Sequence, residues 1–101
     1  MKVRFLKSAY REVDDAVAWY GSQSVGLDMQ FLDNLDEAVR RIVAYPCSYM
    51  EVEKGLRRCL ISRFPYGIFY GIDTDTIIVV AVAHLHREPR YWIDRMQEKS
   101  D

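Results

Sequence analysis

The sequence predicts an α+β fold in which a helical hairpin packs on a small, largely antiparallel, twisted sheet. Two stripes of apolar residues with helical spacing occupy the first half of the chain. After Pro46 the pattern changes to alternating or continuous apolar residues, rich in β-branched and aromatic types. The connections are short, which favours antiparallel neighbours. The expected element order is β-α-α-β-β-β-α.

Length and composition restrict the class of protein. The chain has 101 residues, of which 50% are hydrophobic and 13% aromatic. This is enough for a packed core and suits one domain, residues 1–101. No apolar run approaches the ~20 residues of a membrane span, and residues 1–7 lack the apolar stretch of a secretory signal. We therefore expect a cytoplasmic protein with no membrane partner.

The first half predicts a strand and two helices. Val3 and Phe5 alternate with charged residues, as in a half-buried strand, and Ser8 is placed to cap a helix. The breaker-rich segment 21–26 then connects this helix to a second one. The second helix starts at Leu27 and ends before Pro46, whose ring stops helix propagation. The first helix carries a clear apolar stripe: Ala9, Val13, Ala16, Val17 and Tyr20.

The second half predicts three strands, at Leu56–Arg63, Tyr66–Ile72 and Ile77–Leu85. Residues 77–83 are all apolar, which indicates a central strand covered on both faces. In the middle strand, alternation puts the tyrosines on one face and Phe69, with two glycines, on the other. Those glycines, Gly67 and Gly71, would allow close approach by another segment.

A final helix is expected to begin around Pro89 and to continue to about Gln97. Trp92 and Met96 lie one helical turn apart, so they share a side. This helix would cover part of the second face of the sheet.

The distribution of charge is uneven although the net charge is only −1. Residues 1–53 hold six Lys and Arg against nine Asp and Glu, whereas residues 54–101 hold eight against six. The late basic residues are a candidate surface for an anion or an acidic partner. They are equally well interpreted as solvated strand residues that protect a sheet edge.

Several motifs together resemble the RelE/ParE family of bacterial toxins. They comprise Trp19-Tyr20 near the end of the first helix, Phe31 early in the second, the stretch RRCLISRFPYGIFY from Arg57, and AHLHREPRYWIDR from Ala83. The resemblance covers nearly the whole chain. It implies a toxin of a type II toxin-antitoxin system that is neutralised by a cognate antitoxin, in a toxin-antitoxin hetero-oligomer.

The resemblance also implies two possible targets. RelE-like members cut messenger RNA on the ribosome, and ParE-like members poison DNA gyrase. The positions that match basic residues of the RNA cleavers are Arg58, Leu60 and Gly67, of which two are not basic. Cleavage needs several donors around the phosphate, so gyrase is favoured. A ribosome-dependent, metal-independent endoribonuclease and a non-toxic antitoxin-binding homologue are the alternatives.

Candidate site residues follow from these alternatives. If RNA is cut, His86 and Tyr91 would transfer protons while Arg58, Arg63 and Arg87 hold the phosphate. Binding of antitoxin or target involves a larger set: Arg57, Arg58, Arg63, Phe69, Arg87, Arg90, Trp92 and Arg95. His84 and His86 share a strand face, but no third ligand has recognisable spacing, so no metal or other cofactor is predicted. We interpret His84 as a hydrogen-bonded structural residue.

Overall fold

Two helices lie on one face of a five-stranded sheet in the computed structural model, which describes residues 1–87 and 90–97. The predicted α+β class is confirmed. In chain order the elements are β1 (Lys2–Phe5), α1 (Lys7–Gln23), α2 (Leu27–Ala44), β2 (Glu51–Glu53), β3 (Leu56–Leu60), β4 (Tyr66–Asp73), β5 (Thr76–His84) and a 3-10 helix (Ile93–Gln97).

The strand order in the sheet is β1-β5-β4-β3-β2. The three hairpin pairings, from β2 to β5, are antiparallel, and β1 is parallel to β5. The sheet is therefore largely antiparallel, as predicted. The apolar run of β5 lies between β1 and β4 and is buried on both faces, which confirms it as a central strand.

The helical hairpin covers one face of the sheet through its apolar stripes. At the centre of this layer, the ring of Phe31 lies 5.2 Å from the rings of both Phe64 and Tyr66, edge to face. Ile68 and Tyr70 face the same layer. Such aromatic pairs add stabilisation beyond the buried apolar area. Within the described residues, no helix is long and apolar enough to cross a membrane.

The C-terminal segment, residues 90–97, covers part of the other face, as predicted. Trp92 and Met96 pack against the cluster that contains Phe69. The predicted α-helix is wrong, because the segment forms only a short 3-10 helix with i to i+3 bonds such as Arg95 N–H to the Trp92 carbonyl. Arg90 has a φ of 63°, which prevents a continuous helix before it. The predicted start at Pro89 lies outside the described residues.

Both boundaries of helix α1 differ from the sequence prediction. Helix α1 begins at Lys7, not after Ser8, because buried Leu6 ends the strand by donating its N–H to the Val79 carbonyl. Helix α1 also runs to Gln23, through half of the predicted connection. Ser22 donates its hydroxyl hydrogen to the Trp19 carbonyl and so remains compatible with the helix.

The strands differ in a similar way. The sequence analysis missed β2, which has three residues, too few for a visible alternation. Strand β3 ends at Leu60 and not at Arg63, because the chain turns there and Arg63 takes a φ of 70°. Strand β4 extends to Asp73, and β5 ends at His84 and not at Leu85.

Strand β5 is longer than its neighbour β1. Pairing with β1 covers only Thr76 to Val79, and the chain then leaves the sheet to start α1. A bulge in the pairing with β4 follows, because Phe69 pairs with Ala81 and Tyr70 with Val79. The second half of β5 therefore has an edge that no strand covers within the described residues.

Candidate functional site

A groove of about 420 Å³ lies on the face of the sheet that the helices leave open. We call it the arginine groove and define it by Arg58, Phe69, Arg87, Arg90 and Trp92. Its floor comes from β3 and β4, and the C-terminal segment forms one wall. The rest of the lining comes from β2, the end of β5 and the residues next to them: Met50, Glu51, Val52, Ala83, His84 and Leu85.

The register between β3 and β4 determines which side chains form the floor of the groove. Arg58 and Phe69 are cross-strand partners, and Phe69 belongs to the apolar cluster opposite the helices, so both side chains face away from the helices. The indole of Trp92 stacks on the Phe69 ring with 4.2 Å between centroids, and Trp92 is only 5% exposed. The groove thus has a rigid aromatic floor beside a basic side chain.

The charges of the groove are partly unmatched. Among the described residues, Arg58 and Arg87 form no ion pair, while Arg90 pairs with Glu53 at the end of β2. Two guanidinium groups are therefore available to an acidic ligand. Guanidinium groups bind carboxylates with two parallel hydrogen bonds.

Three of the eight residues predicted to bind a partner lie elsewhere. Arg57 points to the helix side of the sheet, where its guanidinium donates to the carbonyls of Cys47 at 3.1 Å and Tyr49 at 2.7 Å. Arg63 lies in the turn between β3 and β4, outside the groove lining. Arg95 binds Glu12, and each of the two side chains is 17% exposed. The other five predicted residues form the arginine groove.

The residues predicted for RNA cleavage do not share one cavity. Tyr91 lines a separate cleft of about 460 Å³ beside α1, Arg58 lines the groove, and Arg87 lines both. His86 is exposed and belongs to neither lining. The Tyr91 hydroxyl donates to the Glu12 carboxylate. Burial and that carboxylate raise the pKa of Tyr91, which makes its phenol a poor proton donor.

His84 has the environment of a structural residue. Its Nδ1 accepts the backbone N–H of His86 at 3.1 Å, and its ring packs edge to face on Tyr66 at 5.2 Å. Burial, and then the charge of nearby Arg87, lower the pKa of His84, so the neutral ring is favoured. In the part of the chain that the structure describes, no three His, Cys, Asp or Glu side chains are grouped as metal ligands.

Two glutamates were missed by the sequence analysis. Glu53 pairs with Arg90, and Glu12 holds the C-terminal segment. The sequence Glu51-Val52-Glu53 offers a weak signal, since it alternates like a strand. For Glu12 there was no local signal, because its partner Arg95 is 83 residues away.

Comparisons with known proteins show the family and the fold of this chain. The family described as ParE toxin of type II toxin-antitoxin system, parDE, matches residues 3–89. Among solved structures, "Chromosomal ParDE TA system from P. aeruginosa" has a similar fold, with a TM-score of 0.72 and 15% identity over 85% of this chain and 97% of that one. No curated protein matches the sequence. Since the family match spans most of the 101 residues, the chain belongs to the ParE toxin family of type II toxin-antitoxin systems.

Proposed function

We propose that this protein is the toxin of a toxin-antitoxin pair, that an acidic segment of the antitoxin occupies the arginine groove, and that the free toxin poisons DNA gyrase by binding it. Membership in the ParE toxin family implies an antitoxin partner. The observation that carries the proposal is the groove itself, where Arg58 and Arg87, which form no ion pair with any described residue, border the stacked rings of Phe69 and Trp92.

The groove suits an amphipathic, acidic segment of a partner. Apolar side chains of such a segment would contact the exposed Met50 and Leu85 that line the groove. Its carboxylates would meet the guanidinium groups of Arg58 and Arg87. Aromatic and arginine side chains are the residue types that contribute most to protein interfaces. This combination of an aromatic floor and basic walls supports a protein ligand.

The residues around Arg58 favour gyrase over messenger RNA as the target. The two positions where RelE-like cleavers carry basic residues hold Leu60 and Gly67, which pair with each other across β3 and β4. A Cβ atom at Gly67 would lie 3.2 Å from Leu85 Cδ2 and 3.3 Å from Arg58 Cγ, so these neighbours crowd a side chain at that position. Phosphate cleavage requires several converging donors, and this surface supplies few.

Induced expression tests the proposed target directly. We expect growth arrest with gyrase-dependent double-strand breaks in DNA, and purified toxin should increase the amount of cleaved DNA in a gyrase cleavage assay. A parallel assay on translating ribosomes tests the alternative target, messenger RNA. Codon-phased cuts in messenger RNA would refute the gyrase proposal, and normal growth would indicate a non-toxic antitoxin-binding homologue.

A charge reversal tests the use of the groove. Arg58→Glu should weaken both antitoxin binding and toxicity, because it places a carboxylate among the expected acidic contacts. Arg11→Glu is the matched control, since Arg11 is exposed on α1 and the net charge changes equally. Equal effects of the two variants would contradict a specific role of the groove.

A further inference from the structure

We propose that Glu12 is the positioning residue of the arginine groove: it holds the C-terminal segment, residues 90–97, in the place where Arg90 and Trp92 complete the binding surface. Glu12 lies on α1 and does not line the groove. It acts through Arg95 and Tyr91. The proposal rests on the groove being the partner site, and it assigns a role to a residue that does not touch the partner.

The uncovered edge of β5 explains why Glu12 is needed. Beyond Val79, no strand of the described part of the chain pairs with β5 on the β1 side, so no strand there binds the backbone groups of the bulged region. Glu12 Oε1 accepts the Val82 N–H at 3.0 Å, and the Arg95 guanidinium donates to the Val80 carbonyl at 3.0 Å. The ion pair between the two side chains thus takes the place of the missing strand.

The carboxylate of Glu12 also binds the C-terminal segment. Glu12 Oε1 accepts a hydrogen bond from Arg95 Nη1 at 3.0 Å, and Oε2 accepts one from the Tyr91 hydroxyl. The Arg95 guanidinium also lies 5.0 Å from the centre of the Tyr91 ring. Because both partners flank Trp92 in sequence, fixing them fixes the indole that stacks on Phe69.

Hydrogen exchange in the free protein tests the positioning step without any partner. In Glu12→Ala, we expect faster amide exchange at Val82 and across residues 90–97, with unchanged protection in α2 and β4. Asp14→Ala is the control, because Asp14 is exposed on the same helix. If Glu12→Ala does not fold, Glu12→Gln, which keeps an acceptor oxygen, should show a smaller change of the same kind. Unchanged exchange in the folded variant would overturn the proposal.

A double-mutant cycle tests whether Glu12 acts through Arg95. We expect Glu12→Ala and Arg95→Ala each to weaken antitoxin binding by about tenfold, and the double variant to be no weaker than either single variant. Additive losses would refute action through Arg95. Normal binding by Glu12→Ala, together with fast exchange at residues 90–97, would refute the need for positioning.

The proposed partner site and the proposed role of Glu12 can fail separately. If Arg58→Glu leaves antitoxin binding intact, the groove is not the partner site, and the proposed function fails while the exchange result stands. If Arg58→Glu abolishes binding and Glu12→Ala does not affect it, the groove is the site and the role of Glu12 fails.

Discussion

The substitution Gly71→Ala probes the close contact between the sheet and the C-terminal segment. Gly71 is buried in β4, and a Cβ atom there would lie 2.8 Å from Met96 Cε and 3.1 Å from the Gly55 carbonyl oxygen. The methionine end can move away, whereas the backbone oxygen cannot move cheaply. We therefore expect Met96 to be displaced and the C-terminal segment to be loosened.

The expected loss of stability is modest. Overpacking costs ~1 to 3 kcal/mol, and replacing a strand glycine by alanine returns ~0.5 to 1 kcal/mol. The net effect should be about 1 kcal/mol, which corresponds to a fall in Tm of roughly 4 to 8 °C for a domain of this size. Thermal unfolding followed by circular dichroism measures it, and hydrogen exchange should increase at residues 90–97.

Two variants make this test specific. Gly67→Ala is the matched control, because the three atoms nearest to its Cβ, at 3.2 to 3.3 Å, all belong to side chains. It should lower the Tm less than Gly71→Ala does. Adding Met96→Ala to Gly71→Ala should bring little further loss, since it removes the clash. A Tm for Gly71→Ala equal to or above that of the wild type would refute the reasoning.

Three further results are expected. Tyr70→Phe should lower the free energy of unfolding by ~1 kcal/mol, as measured by urea titration, because the hydroxyl donates to the Pro46 carbonyl at 2.6 Å; an unchanged midpoint would contradict this. His84 has a lowered pKa when folded, so the unfolded chain binds more protons and stability should fall as the pH drops through about 6.5. His84→Gln should flatten that part of a pH-stability curve, and an identical slope in the variant would rule His84 out as the cause. Antitoxin binding should weaken steeply between low and high salt, and Arg58→Glu should reduce this slope in a calorimetric titration; the same slope in both proteins would exclude Arg58 as a contact.

The parts of the fold set by periodicity were predictable from sequence. The apolar stripe of α2 and the alternation of Tyr66 and Phe69 in β4 show directly which face of each element is buried. The apolar run of β5 shows that both of its faces are buried. The close approach expected at Gly71 is also confirmed, since Met96 of the C-terminal segment lies against it. For these long elements, the local sequence pattern was sufficient to predict the type of element and its buried faces.

The local sequence pattern could not predict contacts between residues that are far apart in the sequence. Glu12 and Arg95 meet only because β1 ends early and exposes the edge of β5. The left-handed backbone of Arg90, which prevented the expected α-helix, also has no sequence signal in an arginine. By contrast, the separation of Arg57 from Arg58 follows from strand alternation, because neighbours in a strand point to opposite faces.

The central claim is that the antitoxin occupies the arginine groove, and the two tryptophans provide a direct test. Trp92 stacks on the floor of the groove, while Trp19 is 55% exposed on α1 and lines the separate cleft. Their indole N–H signals can be followed by NMR as the antitoxin is added, with Trp19→Phe used for assignment. We expect the Trp92 signal to shift strongly and the Trp19 signal to change little. A shift of the Trp19 signal with an unchanged Trp92 signal would contradict the claim.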